Sequence, residues 1–337
     1  MTQTGSTRPF VSVLMPVWNE GGFIGRSLKA VFSQDYSQDH LEVIIADGMS
    51  EDGTREIICD FQKKNPNILL MDNPQKIVSA GLNLALREAK GEIIIRVDGH
   101  CEIAPNYISR CVELLQKGEA EMVGGPIETV GETFLAEAIA LAMSSFFGVG
   151  GSSFRTVQDQ KKYVDTVAFF ACRRETLEKV GPFDEELVRN QDDEYNYRLR
   201  KLGFRILLDP AIRSRYYSRA SLASLWKQYF QYGFWKVRVM QKHPRQMQWR
   251  QFVPPLFVFS LPTSFLGGFF IPVSMALFFF ILKLYLAVDL AASFSTSFKK
   301  GWKHFPLLLI IYPVLHLSYG FGFLTGLVCF WNRRDRL

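Results

Sequence analysis

The stretch EIIIRVDGH (92–100) begins with three isoleucines after Glu92 and ends, two residues beyond them, in Asp98, Gly99 and His100. A short apolar run is typical of a buried strand, so Asp98 and His100 would lie at the tip of that strand. A carboxylate and an imidazole, two residues apart, are not expected at the end of a buried strand unless they have a role there. That role depends on which residues the neighbouring strands place at the same edge of the sheet.

Three more apolar runs precede this one, and a segment with helical spacing follows each of them. The strands are predicted at 10–18, 41–48, 67–73 and 92–97, and the helices at 21–34, 54–65 and 76–91. Strands that alternate with helices and are apolar nearly throughout favour a parallel sheet covered on both faces. Ligands of such sheets bind beyond the carboxyl ends of the strands, which is where Glu20, Asp47, Asp98 and His100 fall.

The pattern becomes mixed after residue 120. Strands are predicted at 121–130, 163–173 and 204–210, and a helix is predicted at 191–203. The first turn of that helix contains Asp192 and Asp193, and negative charge is stabilised at a helix N-terminus.

Charge divides the 337-residue chain into two parts. Residues 1–209 contain 23 Lys and Arg against 31 Asp and Glu, a net of −8, whereas residues 210–337 contain 16 against 2, a net of +14. Basic charge is typical of proteins that bind nucleic acid or anionic lipid. The sequence of the basic part decides between these partners.

The basic part contains long apolar stretches. Residues 252–288 include one charged residue, Lys283, and residues 305–331 include none. Because a membrane span needs about 20 apolar residues, we predict spans at about 252–271, 273–290 and 305–331. The preceding segment 221–244 is basic, aromatic and amphipathic, which is typical of a helix in the membrane interface. The predicted partner is therefore membrane lipid, not nucleic acid.

Asp98 and His100 allow two interpretations. The aspartate could cap the segment that follows it while the histidine lies at the surface. Alternatively, the two side chains could hold Mn²⁺ or a similar divalent ion that bridges the phosphates of a nucleotide. Imidazole is a less natural ligand for Mg²⁺.

The other acidic positions have similar alternatives. Asp47 ends a strand in ADGMSEDGT (46–54), where it could belong to a turn before a helix or could bind a nucleoside. Asp192 and Asp193 could be an ordinary charged first turn, or one of them could be a general base whose pKa is raised by its crowded neighbours. Dinucleotide and P-loop chemistry are disfavoured, because neither glycine-rich motif is present.

Together these segments resemble the family 2 glycosyltransferases with a GT-A fold, over some 200 residues from Phe10 to Pro210. The resemblance implies an α/β fold with a Rossmann-like mixed sheet, followed by an interfacial helix and transmembrane helices. The motifs that carry the resemblance are VSVLMPVWNE (11–20), ADGMSEDGT (46–54), RVDGH (96–100) and VGPFDEELVRNQDDEYNYRLRKLGFRI (180–206). RVDGH stands where the family has its D-x-D metal motif. Within the family, the D-G-H variant and the apolar tail look most like the succinoglycan glucosyltransferase ExoA group.

The resemblance implies roles for individual residues. Pro16, Glu20 and Asp47 would border the nucleoside diphosphate, and Asp98 and His100 would hold a divalent metal, Mn²⁺ or Mg²⁺. Asp192 would deprotonate the acceptor, with Asp193 as the alternative because Gln191 replaces the usual glutamate. Gln231 and Trp235, in QYGFW (231–235), are similar to the Q-x-x-R-W segment of processive members and would bind substrate, although Phe234 replaces its arginine.

The resemblance, the apolar stretches and the polar N-terminus together predict a whole-chain organisation. Residues 1–212 would be a cytoplasmic catalytic domain, 213–250 an interfacial helix region and 251–337 a multi-pass membrane domain in the inner membrane. The activity would be transfer of a sugar from a UDP-sugar, with glucose expected, to a lipid-linked saccharide in exopolysaccharide or glycan synthesis. The alternatives are another nucleotide sugar, or an inactive nucleotide-binding scaffold.

Overall fold

The computed structural model describes residues 8–156 and 159–333, so the outermost residues of the first and last predicted segments lie outside the described residues. The chain divides into two compact units. An α/β unit comprises Met1–Glu128 and Val157–Tyr216, and a helical unit comprises Thr129–Thr156 and Tyr217–Leu337. The helical unit thus takes up a segment from the middle of the chain.

The predicted alternation of strands and helices forms, and further short elements accompany it. The strands are β1 (Val11–Val17), β2 (Leu41–Asp47), β3 (Ile68–Asp72), β4 (Ile93–Arg96), β5 (Cys101–Ile103), β6 (Met122–Gly124), β7 (Ile127–Val130), β8 (Lys162–Tyr163), β9 (Phe170–Arg173), β10 (Ile206–Leu208) and β11 (Ser214–Tyr217). The helices are α1 (Ile24–Phe32), α2 (Thr54–Gln62), α3 (Val78–Glu88), α4 (Tyr107–Gln116), α5 (Phe134–Met143), α6 (Phe146–Val149), α7 (Ser153–Thr156), α8 (Arg174–Val180), α9 (Gln191–Lys201), α10 (Leu222–Lys242), α11 (Val253–Gly267), α12 (Pro272–Lys300) and α13 (Phe305–Cys329).

The main sheet has eight strands in the order β3-β2-β1-β4-β9-β6-β10-β8. Its first four strands are parallel, as the sequence predicts. Strand β9 runs antiparallel to both β4 and β6, and β8 runs antiparallel to β10. The mixed sheet that the resemblance implies is therefore confirmed. A second sheet, in the order β5-β11-β7, was not predicted.

Two of the predicted strands are wrong in extent. Of 163–173, only Tyr163 and the segment from Phe170 onward are in strands, and 121–130 divides into β6 and β7, which belong to different sheets. The division follows from Gly125 and Pro126. A Cβ on Gly125 would lie 1.5 Å from the carbonyl oxygen of Ile212, so the chain passes another backbone segment there that no larger residue would allow.

The core of the α/β unit explains why β1, β2 and β4 are apolar. Every residue of β1 and of β4 is buried, and α3 packs on β1 and β2. Each fully buried Ile, Leu or Val contributes about 1.5–3 kcal/mol relative to an exposed one. This rigid centre fixes the positions of the loops at the carboxyl ends of the three strands.

In the helical unit, α10 packs closely against α13 through glycines. A Cβ on Gly322 would lie 2.0 Å from the carbonyl oxygen of Phe230, and a Cβ on Gly233 would lie 2.0 Å from that of Tyr319. Small residues at such contacts let two helix backbones approach each other, as is common between helices in membranes. The helix predicted at 221–244 is confirmed, with Ser221 as its N-cap. Its placement in a membrane interface stays a prediction.

Two C-terminal helices are long and apolar enough to cross a membrane by length and composition. Among the described residues they are Pro272–Lys300 and Trp302–Cys329, whose most apolar stretches of 18 residues have mean hydropathies of 2.0 and 1.8. Both correspond to predicted spans. The first predicted span, about 252–271, corresponds to α11, which has 15 residues and contains Pro262. A multi-pass arrangement therefore stays a prediction.

Candidate active site

The loops that follow β1 and β2 are tied together by hydrogen bonds. The backbone N–H of Asn19 donates to Ser50 Oγ (2.8 Å), that of Glu20 donates to Thr54 Oγ1 (2.8 Å), and that of Gly21 donates to Asp52 Oδ2 (2.9 Å). Asp52 Oδ1 also accepts from the N–H of Thr54, the first residue of α2, at 3.2 Å, although the N-cap position of that helix is Gly53. The loops after β1 and β2 are therefore hydrogen-bonded to each other at the carboxyl edge of the sheet.

Asp47, the predicted nucleoside ligand, is fully buried at the end of β2. Its Oδ1 accepts from the Ser50 hydroxyl at 2.5 Å, and its Oδ2 accepts from the Ser50 N–H at 3.1 Å and from Arg55 Nη1 at 2.7 Å. Arg55 also pairs with Asp72, at the end of the neighbouring strand β3, at 2.8 Å. Asp47 thus organises the loop, and Arg55 and Asp72 are the more exposed charges around it.

Asp98 makes a two-point ion pair with Arg96. Arg96 is the last residue of β4 and is 3% exposed, and its Nε and Nη2 lie 2.9 Å and 3.2 Å from the two carboxylate oxygens of Asp98. Planar bidentate pairing of this kind fixes the orientation of the carboxylate as well as its charge. The apolar strand therefore ends in an arginine that holds Asp98 in position.

His100 is held by two contacts in the same unit. Its Nδ1 lies 2.7 Å from Glu20 Oε1, and its ring packs edge-on against Tyr216 with 4.9 Å between ring centroids. Gly99 permits this contact, because a Cβ there would lie 3.0 Å from both Glu20 Cγ and Val17 Cγ1. The structure thus brings Glu20 and His100 together, as their shared edge of the sheet predicts.

The donor set around His100 fits a divalent ion. A carboxylate can only accept, so Nδ1 carries the proton and Nε2 is left with the lone pair that a metal needs. Histidine ligands are usually oriented by a carboxylate in this way. Within residues 8–156 and 159–333, no group of three or more His, Cys, Asp or Glu side chains is arranged to hold a metal. Asp98 and His100 could therefore hold an ion only together with ligands from a bound molecule.

The three acidic residues in the first turn of α9 have different surroundings. Glu194 is buried and pairs with Arg198 four residues later, with Oε1 2.7 Å from Nε. Asp192 is partly exposed, and its Oδ1 accepts from the N–H of Asp193 at 3.0 Å. Glu194 therefore has a structural role, and Asp192 and Asp193 stay the candidates for a base.

Asp192 is the residue whose pKa the surroundings change. Although the Asp192 side chain keeps some exposed surface, the protein atoms packed around its carboxyl displace water and raise its pKa above the usual value. The nearby Arg96 guanidinium opposes this rise, and the charge of Asp193 adds to it. A raised pKa makes a carboxylate a better proton acceptor. Arg96 thus acts electrostatically on Asp192 as well as pairing with Asp98.

The remaining predicted residues lie in two places. Pro16 is buried in β1 opposite Ala46 of β2, one residue before the end of the strand. Gln231 and Trp235 belong to α10 of the helical unit. There they line a surface cavity of about 510 Å³ together with Trp226, Lys227, Phe230 and Phe234.

Sequence reasoning missed Arg55 and Arg96. A signal for Arg96 was present in the sequence, because a basic residue ends an otherwise apolar strand two positions before Asp98. An arginine in a buried strand needs an acidic partner, and Asp98 is the nearest one in the sequence. Arg55 carried a weaker signal, because exposed arginines in a first helical turn are common.

Comparisons with known proteins show the family of the chain. Residues 12–181 match the model of the family described as Glycosyl transferase family 2. The chain is 31% identical to the succinoglycan biosynthesis protein ExoA of Rhizobium meliloti (strain 1021), over 95% of this chain and 96% of that protein.

A second relative and a solved structure extend the comparison. The chain is 28% identical to the dolichyl N-acetyl-alpha-D-glucosaminyl phosphate 3-beta-D-2,3-diacetamido-2,3-dideoxy-beta-D-glucuronosyltransferase of Methanococcus voltae, over 95% of this chain and 97% of that one. The mannosyltransferase PcManGT from Pyrobaculum calidifontis, solved with GDP-Man and Mn²⁺, superposes with a TM-score of 0.60 at 21% identity, covering 93% of this chain and 88% of that one.

Proposed function

Since the chain belongs to glycosyl transferase family 2 and is a glycosyltransferase, we propose that it is a membrane-anchored inverting enzyme that moves a sugar from a UDP-sugar, with glucose expected, to a lipid-linked saccharide. The observation that carries this proposal is the convergence of Glu20, Asp47, Asp98 and His100 on one edge of the sheet, with Arg96 linking that edge electrostatically to Asp192.

The names of the relatives support the proposed acceptor and pathway. One relative is a succinoglycan biosynthesis protein, and the other acts on a dolichyl sugar phosphate, which is a lipid-linked saccharide. Two apolar helices at the C-terminus would keep such an acceptor and the enzyme at the same membrane. We accordingly place the protein in the inner membrane, with residues 1–212 in the cytoplasm as the catalytic domain, 213–250 at the interface and 251–337 in the bilayer.

The donor's diphosphate would lie beside Asp98 and His100. These two side chains would hold a divalent ion, Mn²⁺ being favoured by the imidazole ligand and by its presence in the PcManGT structure. When bound, the ion neutralises charge on the departing diphosphate. Glu20 orients the His100 ring, and Arg96 orients the Asp98 carboxylate.

Asp192 would act on the acceptor. Its carboxylate takes the proton of an acceptor hydroxyl while that oxygen forms a bond to the anomeric carbon and the bond from this carbon to the diphosphate oxygen breaks. The bonding electrons leave with the diphosphate. A single displacement of this kind inverts the anomeric carbon, so an α-linked donor gives a β-linked product. Asp193 is the alternative base.

Another nucleotide sugar is the second candidate. Both oxygens of Asp47 already accept hydrogen bonds from Ser50 and Arg55, so this carboxylate does not by itself select a base. The solved structure with this fold holds GDP-Man. GDP-sugars therefore belong in any test of the donor.

The proposed function is tested with full-length protein purified in detergent, supplied with Mn²⁺, membrane lipid extract and a panel of UDP-, GDP- and dTDP-sugars. We expect release of one nucleoside diphosphate, with UDP-glucose as the most active donor, and a β-linkage in the product by NMR. An α-linked product would exclude the single displacement. No release from any donor would favour an inactive nucleotide-binding scaffold.

The metal site makes a separate prediction. We expect EDTA to abolish transfer and added Mn²⁺ to restore it. Replacing His100 with alanine removes a ligand, so the Mn²⁺ concentration for half-maximal activity should rise at least tenfold, and Glu20→Gln, which only loosens the ring, should raise it about tenfold. His40→Ala is the matched control and should leave the Mn²⁺ requirement unchanged, because His40 directly precedes β2 and the site lies at the carboxyl end of that strand. An unchanged Mn²⁺ requirement in His100→Ala would remove His100 from the metal site.

A further inference from the structure

One face of α12 is polar, although the helix is otherwise apolar and largely exposed. Asp289, Ser293 and Ser297 follow one another at intervals of four residues, which places them on one side of a helix. They are 2%, 0% and 0% exposed. These three side chains are buried in a helix whose other faces would meet lipid.

This face packs against α13 through two hydrogen-bonded contacts. Tyr285, one turn before Asp289, places its hydroxyl 2.9 Å from His316 Nδ1, and His316 Nε2 lies 2.8 Å from the carbonyl oxygen of Phe147. Because a carbonyl oxygen only accepts, the proton of a neutral His316 is on Nε2, and the Tyr285 hydroxyl donates to Nδ1. Further along, Thr296 Oγ1 and the Tyr312 hydroxyl are 2.8 Å apart.

Three polar atoms on this face have no hydrogen-bond partner among the described residues. Asp289 Oδ1, Ser293 Oγ and Ser297 Oγ are buried and make no hydrogen bond within the part of the chain that the structure describes. Other hydroxyls in the apolar helices differ. Ser264 and Ser318, for example, donate to the carbonyl of the residue four positions earlier in their own helix, which is the usual solution in an apolar setting. Ser293 and Ser297 do not use it.

The charge of Asp289 indicates that the partner of these polar atoms is a cation. Asp289 is the sole acidic residue between positions 210 and 334 of the chain, and no ion pair to it occurs among the described residues, 8–156 and 159–333. A buried carboxylate is costly unless it is protonated or meets a cation. Ionisable residues within apolar helices therefore usually mark binding sites or ion paths. The hydroxyl of Ser293, one turn from Asp289, adds an oxygen ligand of the kind that a hard cation prefers. Ser297 lies about 12 Å from Asp289 along the helix axis, too far to share the same ion.

We propose that Asp289 and Ser293, one helical turn apart, form a binding site for a desolvated monovalent cation where α12 faces α13, and that Ser297 extends the same polar face by a further turn. The cation is an alkali metal ion or the primary ammonium group of a lipid head group, since both offer a single positive charge to oxygen acceptors. The position suits either source. Residues 272–288 are almost wholly apolar, and the polar face begins at Asp289 and leads toward Lys299 and Lys300 at the end of the helix.

Thermal unfolding of the purified full-length protein, followed by tryptophan fluorescence, tests the site. The detergent-solubilised protein is titrated with NaCl or KCl at constant ionic strength, with choline chloride as the balancing salt because its quaternary ammonium cannot donate hydrogen bonds. A second arm compares nanodiscs of phosphatidylethanolamine with nanodiscs of phosphatidylcholine. We expect the wild-type Tm to rise by about 3 °C or more in one arm, because a cation that binds only the folded state stabilises it.

The variants decide the outcome. Asp289→Asn has the same shape without the charge and should abolish the rise, and Ser293→Ala should raise the cation concentration needed for half the shift about tenfold. Ser264→Ala, whose hydroxyl bonds its own helix, should respond like the wild type. A rise with Na⁺ or K⁺ identifies an inorganic cation, and a rise confined to phosphatidylethanolamine identifies the lipid.

Two results would overturn the proposal. One is a wild-type Tm that responds to neither arm, as expected if Asp289 is protonated or meets only water. The other is an equal response in Asp289→Asn. If Asp289→Asn cannot be purified, Ser293→Ala takes its place, and a cation concentration for half the shift equal to that of the wild type would overturn the proposal. The readout does not depend on sugar transfer, so its failure is distinct from a failure of the proposed function.

Discussion

Replacing Asp192 with asparagine should lower the rate of sugar transfer by about 10²- to 10⁴-fold, because the variant cannot take the proton of the acceptor hydroxyl. Asparagine keeps the size of the side chain and the oxygen that accepts from the N–H of Asp193. The donor site, on the strands, should be unaffected. The measurement is kcat for transfer together with the Kd for the nucleoside diphosphate, and only kcat should change.

Asp193→Asn is the matched control, one residue along the same helical turn. It should retain most of the activity if Asp192 is the base. A large loss in Asp193→Asn with little loss in Asp192→Asn would exchange the two roles. Equal, small losses in both would mean that neither carboxylate takes the proton.

The raised pKa of Asp192 adds a test by pH. As the pH is lowered, kcat should fall once Asp192 becomes protonated. The midpoint of this acid limb should lie above the usual carboxyl pKa of about 3.9, because burial raises the pKa of Asp192. A carboxyl with a raised folded-state pKa stabilises the fold below its unfolded pKa, and this contribution is lost as the pH rises through the folded value. Above its folded-state pKa the ionised Asp192 therefore opposes folding, so in that pH range the Tm of Asp192→Asn should equal or exceed that of the wild type.

Much of the α/β unit could be predicted because its central strands are buried on both faces. Such strands are apolar nearly throughout, and the residue that ends each run is marked by its polarity. Glu20, Asp47, Asp98 and His100 were found in this way, and the topology of a parallel sheet placed them at one edge. The prediction needed no knowledge of side-chain contacts.

The contacts within the site were not predictable from the same pattern. Whether Asp47 faces a ligand or a neighbour depends on Arg55 and Ser50, whose side chains reach it only because the β2 loop turns at Met49, with φ 58°. The strands after residue 120 are two to four residues long. Such strands are too short for the pattern of apolar and polar residues to define where they begin and end. Their pairing depends on backbone approaches such as that of Gly125 to Ile212.

Arg96 carries the second large effect, this time on stability. Replacing it with methionine should lower the free energy of unfolding by about 3 kcal/mol, because it leaves Asp98 without its partner in a largely buried position. The double variant Arg96→Met/Asp98→Asn removes both charges and should recover a large part of that loss. Arg87→Met, which replaces an exposed arginine on α3, is the control and should change stability by less than about 0.5 kcal/mol. Chemical denaturation of the four proteins gives the comparison.

The same substitution should also move the pH dependence of transfer. Arg96 opposes the rise in the pKa of Asp192 that burial causes, so without it the pKa of Asp192 rises further and the acid limb of kcat shifts to higher pH. A residue that only stabilised the fold would lower Tm and leave the limb in place. Loss of stability with an unchanged pH profile would therefore limit the role of Arg96 to its ion pair with Asp98. A shifted profile would show that Arg96 has two roles: it orients Asp98 beside the leaving diphosphate, and it tunes the pKa of Asp192, the base that activates the acceptor.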